Sequence, residues 1–191
     1  MAISGRGSNL DALHRALETG AAAEIVVVVS DRPDAAGLDR ARGWRIPTEV
    51  LPNPADGALW LGLLRRHAVD LVVLAGYLKL VPPGVITAYR GRIINVHPAL
   101  LPAFGGQGMY GQRVHQAVLA SGASETGATV HLVDEVYDHG ARLAQARVPV
   151  LPGDTPELLA RRVLEVEHRL LPAVVLAAAA AGHPVAVTRD S

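Results

Sequence analysis

The chain has 191 residues, half of them hydrophobic, which is enough to bury a sizeable core. Eighteen Lys and Arg balance eighteen Asp and Glu, so the charge carries no footprint for nucleic acid or an anionic membrane surface. Cysteine is absent, which excludes a disulfide framework and a thiolate metal site.

The N-terminus reaches the polar stretch SGRGSN at position 4, unlike a signal peptide. The longest apolar run, 170–181, is short, alanine-rich and broken by Pro172, too little to span a bilayer. The expectation is a cytoplasmic protein. SGRGSNL (4–10) leads into a helical pattern over 9–20, in which Leu10, Leu13, Ala16 and Leu17 recur at helical spacing and Gly20 offers a stop. Gly5 and Gly7 let the backbone approach a ligand, while Ser8 and Asn9 place donors near a helix N-terminus. That is a local recipe for phosphate, although not a complete Rossmann or Walker fingerprint. The plain alternative is a glycine turn with Ser8 or Asn9 as the cap.

EIVVVVS (24–30) and DLVVLAG (70–76) are continuous β-branched runs, as strands buried on both faces should be. Helical patterns over 36–44 and 57–68 separate them. This alternation predicts an α/β domain with a mainly parallel sheet. RIINVH (92–97), GATVHLV (127–133) and LAQARVPV (143–150) are further strands. The last two have no helix between them, so an antiparallel extension is expected around VDEVYDHGAR. A final helix follows VPVLPGD, with Asp154 or Thr155 as cap, Pro156 in the first turn and Glu157 at the positive end of the dipole. It runs to Pro172, which should kink or end it. With no repeat, low-complexity tract or long linker, 1–191 reads as one domain.

The stretch INVHPALLPAFGG (93–105) carries the chemistry. Asn95 and His97 stand two residues apart and so share a face of their strand, at the strand end where open α/β sheets bind ligands. A histidine there moves a proton and an asparagine donates to an oxyanion. The chain has eight histidines, so alone His97 reads as a satisfied strand-end residue. Asp134, Glu135, Asp138 and Gly140 read first as a solvated acidic turn. A carboxylate folded back onto His97 would orient its ring and favour its charged form. No compact ligand pattern joins His131 and His139, so no metal is expected. Glu167 and His168 give the last helix a polar face; inside a site, Glu167 would hold an amine or a pair of hydroxyls.

Together SGRGSNL, LVVLAGYLKLV, INVHPALLPAFGG, GATVHLVDEVYDHG, VPVLPGDTPELLARRV and EHRLLP resemble the phosphoribosylglycinamide formyltransferase family, in the right order over nearly the whole chain. NVHPALLP and YDHG are the most specific pieces. The resemblance implies a Rossmann-like formyltransferase fold. The implied reaction moves a formyl group from 10-formyltetrahydrofolate, a co-substrate, to the amine of glycinamide ribonucleotide in de novo purine biosynthesis, with no bound cofactor and no metal. It implies Asn95, His97 and Asp138 as the catalytic trio, Gly7, Ser8 and Asn9 as the phosphate loop, and Glu167 as a holder of the ribonucleotide. Leu78, Lys79, Leu80 and Val81, with Asn95, would line the folate pocket. Asp134, Glu135, Val136, Tyr137 and Asp138 would close over the pteridine. The family's folate-contacting arginine has no assigned match here. The implied partners are small molecules, and neither length nor composition decides between a monomer and a homodimer.

One departure stands out. Only Met1, Ala2 and Ile3 precede Ser4, fewer than the family's first strand carries, so exposed neighbouring backbone and a looser glycine loop are expected. Formyltetrahydrofolate deformylase and methionyl-tRNA formyltransferase share the trio. The extra N-terminal domain of the first and the extra C-terminal domain and basic surface of the second are not expected in a chain of this length and charge. A non-catalytic phosphate- or folate-binding module is the alternative of a different class.

Overall fold

The computed structural model describes residues 1–18, 20 and 22–187. In chain order its elements are β1 (Ala2–Ile3), α1 (Ser8–Leu17), β2 (Val28–Ser30), α2 (Ala36–Gly43), β3 (Thr48–Val50), α3 (Gly57–Arg66), β4 (Val72–Ala75), α4 (Pro83–Ala88), β5 (Ile93–His97), α5 (Gln112–Ala120), β6 (Glu125–Leu132), β7 (Arg142–Pro149) and α6 (Pro156–Ala181). One sheet takes the strands in the order β3-β2-β1-β4-β5-β6-β7. The first five pair in parallel, and β5–β6 and β6–β7 are antiparallel. This is the mainly parallel α/β sheet with an antiparallel extension that the alternation of patterns implied.

The chain winds outward from β1 to β3 and then returns to the other side of β1 with β4. A sheet that reverses in this way opens a crevice at the strands' C-terminal ends. Side-chain alternation along β5 sends Ile94 and Val96 into a core with Leu159, Val163, Leu170 and Val174 of α6. Ile93, on the opposite face, packs in the core that holds Trp60, Leu63 and Leu64 of α3. Asn95 and His97 share the Ile93 face. The polar pair therefore sits at the open end of a strand whose other face is committed to the core.

Several boundaries differ from the sequence expectation. The run 24–30 becomes strand only at Val28, because its neighbours begin pairing there, at Thr48 in β3 and through Ala2↔Val29 in β1. β3 is a partly exposed edge strand, so it lacks the apolar run that would reveal it. α4 is six residues long and opens on prolines, and α5 follows a glycine-rich loop with buried apolar positions only at Val114 and Val118 beside His115. α1 ends at Leu17, where the Glu18 N–H bonds to the His14 carbonyl, short of Gly20. Thr155, not Asp154, caps α6, its Oγ1 accepting from the Leu158 N–H at 3.3 Å. Asp154 instead accepts from the Leu151 N–H at 2.8 Å and holds Arg162.

Pro172 lies inside α6, and the helix continues to Ala181 before Gly182 closes it in the left-handed conformation, φ 75. A mid-helix proline costs about 3 kcal/mol. Leu170, Leu171, Val174, Val175 and Ala178 are buried on the same helix, and each fully buried leucine or valine returns roughly 1.5–3 kcal/mol. Tertiary burial therefore outweighs the local break. No helix among the described residues is long and apolar enough to cross a membrane.

Candidate active site

A cavity of about 700 Å³ opens at the C-terminal ends of β1, β4 and β5. Gly7 forms part of one wall, with φ +77, and a Cβ there would stand 2.9 Å from the Gly37 Cα. Both its conformation and this close approach require glycine. Gly7 is itself the N-cap of α1 and supplies no side-chain cap. Ser8 and Asn9 are therefore the first helical residues rather than caps, and the helix's first N–H groups are left for a ligand. The loop is tied at both ends despite the short β1. Ser4 Oγ donates to Asp31 Oδ1 at 2.6 Å and accepts from the Leu78 N–H at 3.0 Å, and the Gly37 N–H bonds to the Gly5 carbonyl at 3.1 Å.

Across this wall Asn9 Nδ2 donates to Glu167 Oε2 at 2.6 Å. The Asn9 Oδ1 is buried with no partner among the described residues, and both side chains line the cavity. Burial pushes the Glu167 carboxyl up to about 7, against the pull of the Asn9 bond. The folded protein thus holds a proton that the unfolded chain releases, and stability falls as pH rises from the ordinary 4.5 to about 7. Glu167→Gln should remove this loss, raising stability by about 3 kcal/mol at pH 8 and much less near pH 4.5. Thermal denaturation of both proteins at the two pH values checks it. A pH-independent difference would show that Glu167 does not titrate as described.

At the cavity floor, His97 is only 3% exposed. Its Nε2 lies 2.8 Å from the Phe104 carbonyl and its Nδ1 3.5 Å from Asp138 Oδ2. Both neighbours are acceptors, so only the imidazolium, with a proton on each nitrogen, satisfies both. Burial opposes that form and lowers the His97 pKa. Asp138 and the Phe104 carbonyl push it back up, and His131 lowers it again. The charge-favouring effect expected of Asp138 is present, but desolvation exceeds it. For Asp138 itself, burial would raise the pKa, yet His131, His97 and the Gly106 N–H, at 2.9 Å from Oδ2, together hold it below the usual value. Asp138 stays ionised beside the histidine.

The antiparallel register places Asn95 directly opposite His131. Asn95 Nδ2 lies 3.1 Å from His131 Nε2, and that nitrogen lies 3.5 Å from Asp138 Oδ1. His131 Nδ1 faces the Leu132 carbonyl at 2.8 Å. His131 therefore joins Asn95 to Asp138, a link that its place in GATVHLV signals only once the β5–β6 register is known. His139 takes no part in this group. It is an exposed residue whose Nδ1 pairs with Asp134 Oδ2 at 2.9 Å. His115, on α5, is a second buried cavity-lining histidine that the sequence pattern left unremarked. Its Nδ1 has no partner among the described residues, and burial followed by the charge of His97 lowers its pKa.

The far wall is Leu78, Lys79, Leu80 and Val81, with Asp134, Val136, Tyr137 and Asp138 opposite. Leu78, Leu80, Val136 and Tyr137 are exposed apolar side chains at the cavity mouth, which suits a largely apolar ring system. Glu135 is the exception among the expected residues. It does not line the cavity, and its carboxylate meets Arg90 at 2.8 Å. Neighbouring residues of a turn point in different directions, so adjacency in VDEVYD did not make it a wall residue.

The chain is similar to known proteins over most of its length. A family model described as formyl transferase matches residues 1–175. The phosphoribosylglycinamide formyltransferase of Arabidopsis thaliana, named as chloroplastic, is 47% identical over 181 residues, 91% of this chain and 62% of the relative. The chain thus spans about three fifths of that relative's length. The phosphoribosylglycinamide formyltransferase of Haemophilus influenzae is 38% identical over 91% of this chain and 82% of the relative. The crystal structure of the enzyme of that name from Anaplasma phagocytophilum superposes with a TM-score of 0.89 at 37% identity, covering 100% of this chain and 92% of that one. The family match, the sequence likeness and the fold likeness thus agree, and the chain belongs to the phosphoribosylglycinamide formyltransferase family of formyl transferases.

Proposed function

We propose that the protein transfers a formyl group from 10-formyltetrahydrofolate to the amine of glycinamide ribonucleotide, as one formyltransferase domain acting in purine biosynthesis in the cytoplasm. The observation that carries this reading is the position of Asn95, His97 and Asp138. They stand in one cavity between an uncapped helix N-terminus and an apolar mouth. Gly7, Ser8 and Asn9 hold the phosphate, and Glu167 accepts from the ribonucleotide. Leu78, Lys79, Leu80 and Val81, with Asp134, Val136 and Tyr137, seat the folate. The folate enters as a co-substrate and leaves as product. Every group belongs to one chain, so the reading holds for a monomer and a homodimer alike.

The amine nitrogen attacks the formyl carbon and a C–N bond forms, placing negative charge on the formyl oxygen. Asn95 Nδ2 and the His97 ring donate to this oxyanion, each exchanging its resting partner, His131 Nε2 and the Phe104 carbonyl, for the new oxygen. One oxyanion donor is commonly worth about a hundred- to a thousandfold in rate. The bond from the formyl carbon to N10 then breaks. The amine loses one proton and N10 gains one, with His97 as the relay, so the net proton count does not change. Asp138 favours the charged imidazole throughout.

Folate product should appear only when glycinamide ribonucleotide is present. Following 10-formyltetrahydrofolate consumption with and without the amine tests this. Equal rates in both would identify a deformylase-like hydrolase, and no turnover in either would identify a binding module.

A further inference from the structure

Two polar rows cross the antiparallel end of the sheet on the face that carries Asn95 and His97. The register sets His97 opposite Thr129 and Thr129 opposite Gln145. It likewise sets Asn95 opposite His131 and His131 opposite Arg142. Directly opposed residues share a face, so each row runs from β5, the strand of the reaction site, to the edge strand β7. Gln145 and Arg142 do not line the cavity. Both reach instead to one backbone atom, the Leu101 carbonyl oxygen, Gln145 Nε2 at 2.9 Å and Arg142 Nη1 at 3.0 Å.

Gln145 Nε2 also donates to Thr129 Oγ1 at 2.9 Å. That hydroxyl donates to the Ala99 carbonyl at 2.6 Å and accepts from the Leu101 N–H at 3.0 Å. The amide nitrogen has two hydrogens, one for each acceptor. Thr129 is fully buried, so these bonds are made away from water, where losing a partner is costly. The segment just past His97 is thus clasped to β6 and β7 at Ala99 and Leu101.

Phe104 lies three residues beyond this clasp and two before Gly106, whose N–H bonds to Asp138 Oδ2 at 2.9 Å. It adopts a left-handed φ of 57, a conformation that a phenylalanine keeps only where its surroundings dictate it. Between the two ties the packing leaves no slack, since a Cβ on Gly105 would collide with Leu101 Cδ2. These restraints aim the Phe104 carbonyl at His97 Nε2 from 2.8 Å.

We propose that Gln145, supported by Arg142, is a positioning residue for formyl transfer: its hold on Leu101 and Thr129 fixes the Phe104 carbonyl that orients the His97 ring. This role rests on the reading of His97 as the proton relay. The titratable groups around His97, among the described residues, are Asp138 from the turn after β6, His131 from β6 and His115 from α5. The Phe104 carbonyl adds to the pull of Asp138 toward the charged ring, against burial and His131. Once that carbonyl drifts, this support is lost and His97 gives up its proton at lower pH. Gln145 is uncharged, so its removal acts on His97 through geometry alone.

Gln145→Met keeps the side chain's length and removes its donors. Turnover at neutral pH should fall about ten- to a hundredfold, the scale of a small misplacement at the reacting atoms. Ribonucleotide affinity should change little, because the wall of Gly7, Ser8 and Asn9 is built on other elements. The pH–rate limb of His97 should move to lower pH, and its NMR titration in the substrate-free protein should move with it. Arg142→Met, at an exposed edge position, withdraws the second donor and should shift both readouts the same way. Loss of the Arg142 charge alone would shift them to higher pH. An unmoved His97 titration in both variants, a shift to higher pH, or a loss of ribonucleotide affinity equal to that of turnover would each overturn this role. The substrate-free titration needs no turnover, so its outcome is distinct from failure of the proposed reaction.

Discussion

His97→Ala should lower formyl transfer by about a hundred- to ten-thousandfold, the range for a positioned acid–base group, while ribonucleotide affinity changes little. The ring is buried, but by polar neighbours: Phe104 through its carbonyl, Asp138 through its carboxylate, and His131 beyond it. Its loss leaves Asp138 tied to the Gly106 N–H at 2.9 Å, so the 134–138 turn keeps one of its anchors. The Gly7, Ser8 and Asn9 wall is built on other elements and stays in place. Single-turnover transfer with both substrates saturating, together with ribonucleotide titration, separates the two effects. Near wild-type turnover in a folded variant would remove His97 from the reaction. A loss confined to affinity would make it a binding residue.

Asp138→Asn should give the second large effect, at least about tenfold at neutral pH. The sign follows from the charges that face His97. Burial lowers its pKa, Asp138 and the Phe104 carbonyl raise it, and His131 lowers it. Without the carboxylate charge the opposing influences remain, so the pH–rate limb belonging to His97 should move to lower pH. Fewer molecules then carry the imidazolium at neutral pH, and acidification should recover part of the rate. The asparagine retains an oxygen for the Gly106 N–H, so the turn's shape is kept. His131 and His115 line the same cavity, so histidine NMR signals across pH assign the limb to its ring. An unmoved limb with an undiminished rate would return Asp138 to the role of a turn residue.

The parts of this site that lie on one regular element were legible in the sequence. Strand periodicity alone puts Asn95 and His97 on one face, and the cap and Pro156 mark the start of α6, whose inward face carries Glu167. The relation of Asp138 to His97 depends instead on how β6 returns antiparallel to β5 and on the turn that follows, where Asp138 adopts a positive φ of 55. No local pattern encodes that contact. His131 was weighed only for metal, because its partner Asn95 is 36 residues away and becomes its neighbour through strand register. Glu135 was carried in with its turn, yet Arg90 claims its side chain. The ties that the glycine loop keeps to Asp31 and Leu78 through Ser4 likewise join residues far apart in the chain, and no local pattern encodes them.

The central claim is that the cavity delivers a formyl carbon to an amine and not to water. The most direct test is the fate of that carbon. With 10-formyltetrahydrofolate labelled in the formyl group and glycinamide ribonucleotide present, the label should appear in the formylated ribonucleotide in a one-to-one ratio with tetrahydrofolate released. Recovery of the label as free formate, with the ribonucleotide unchanged, would contradict the account.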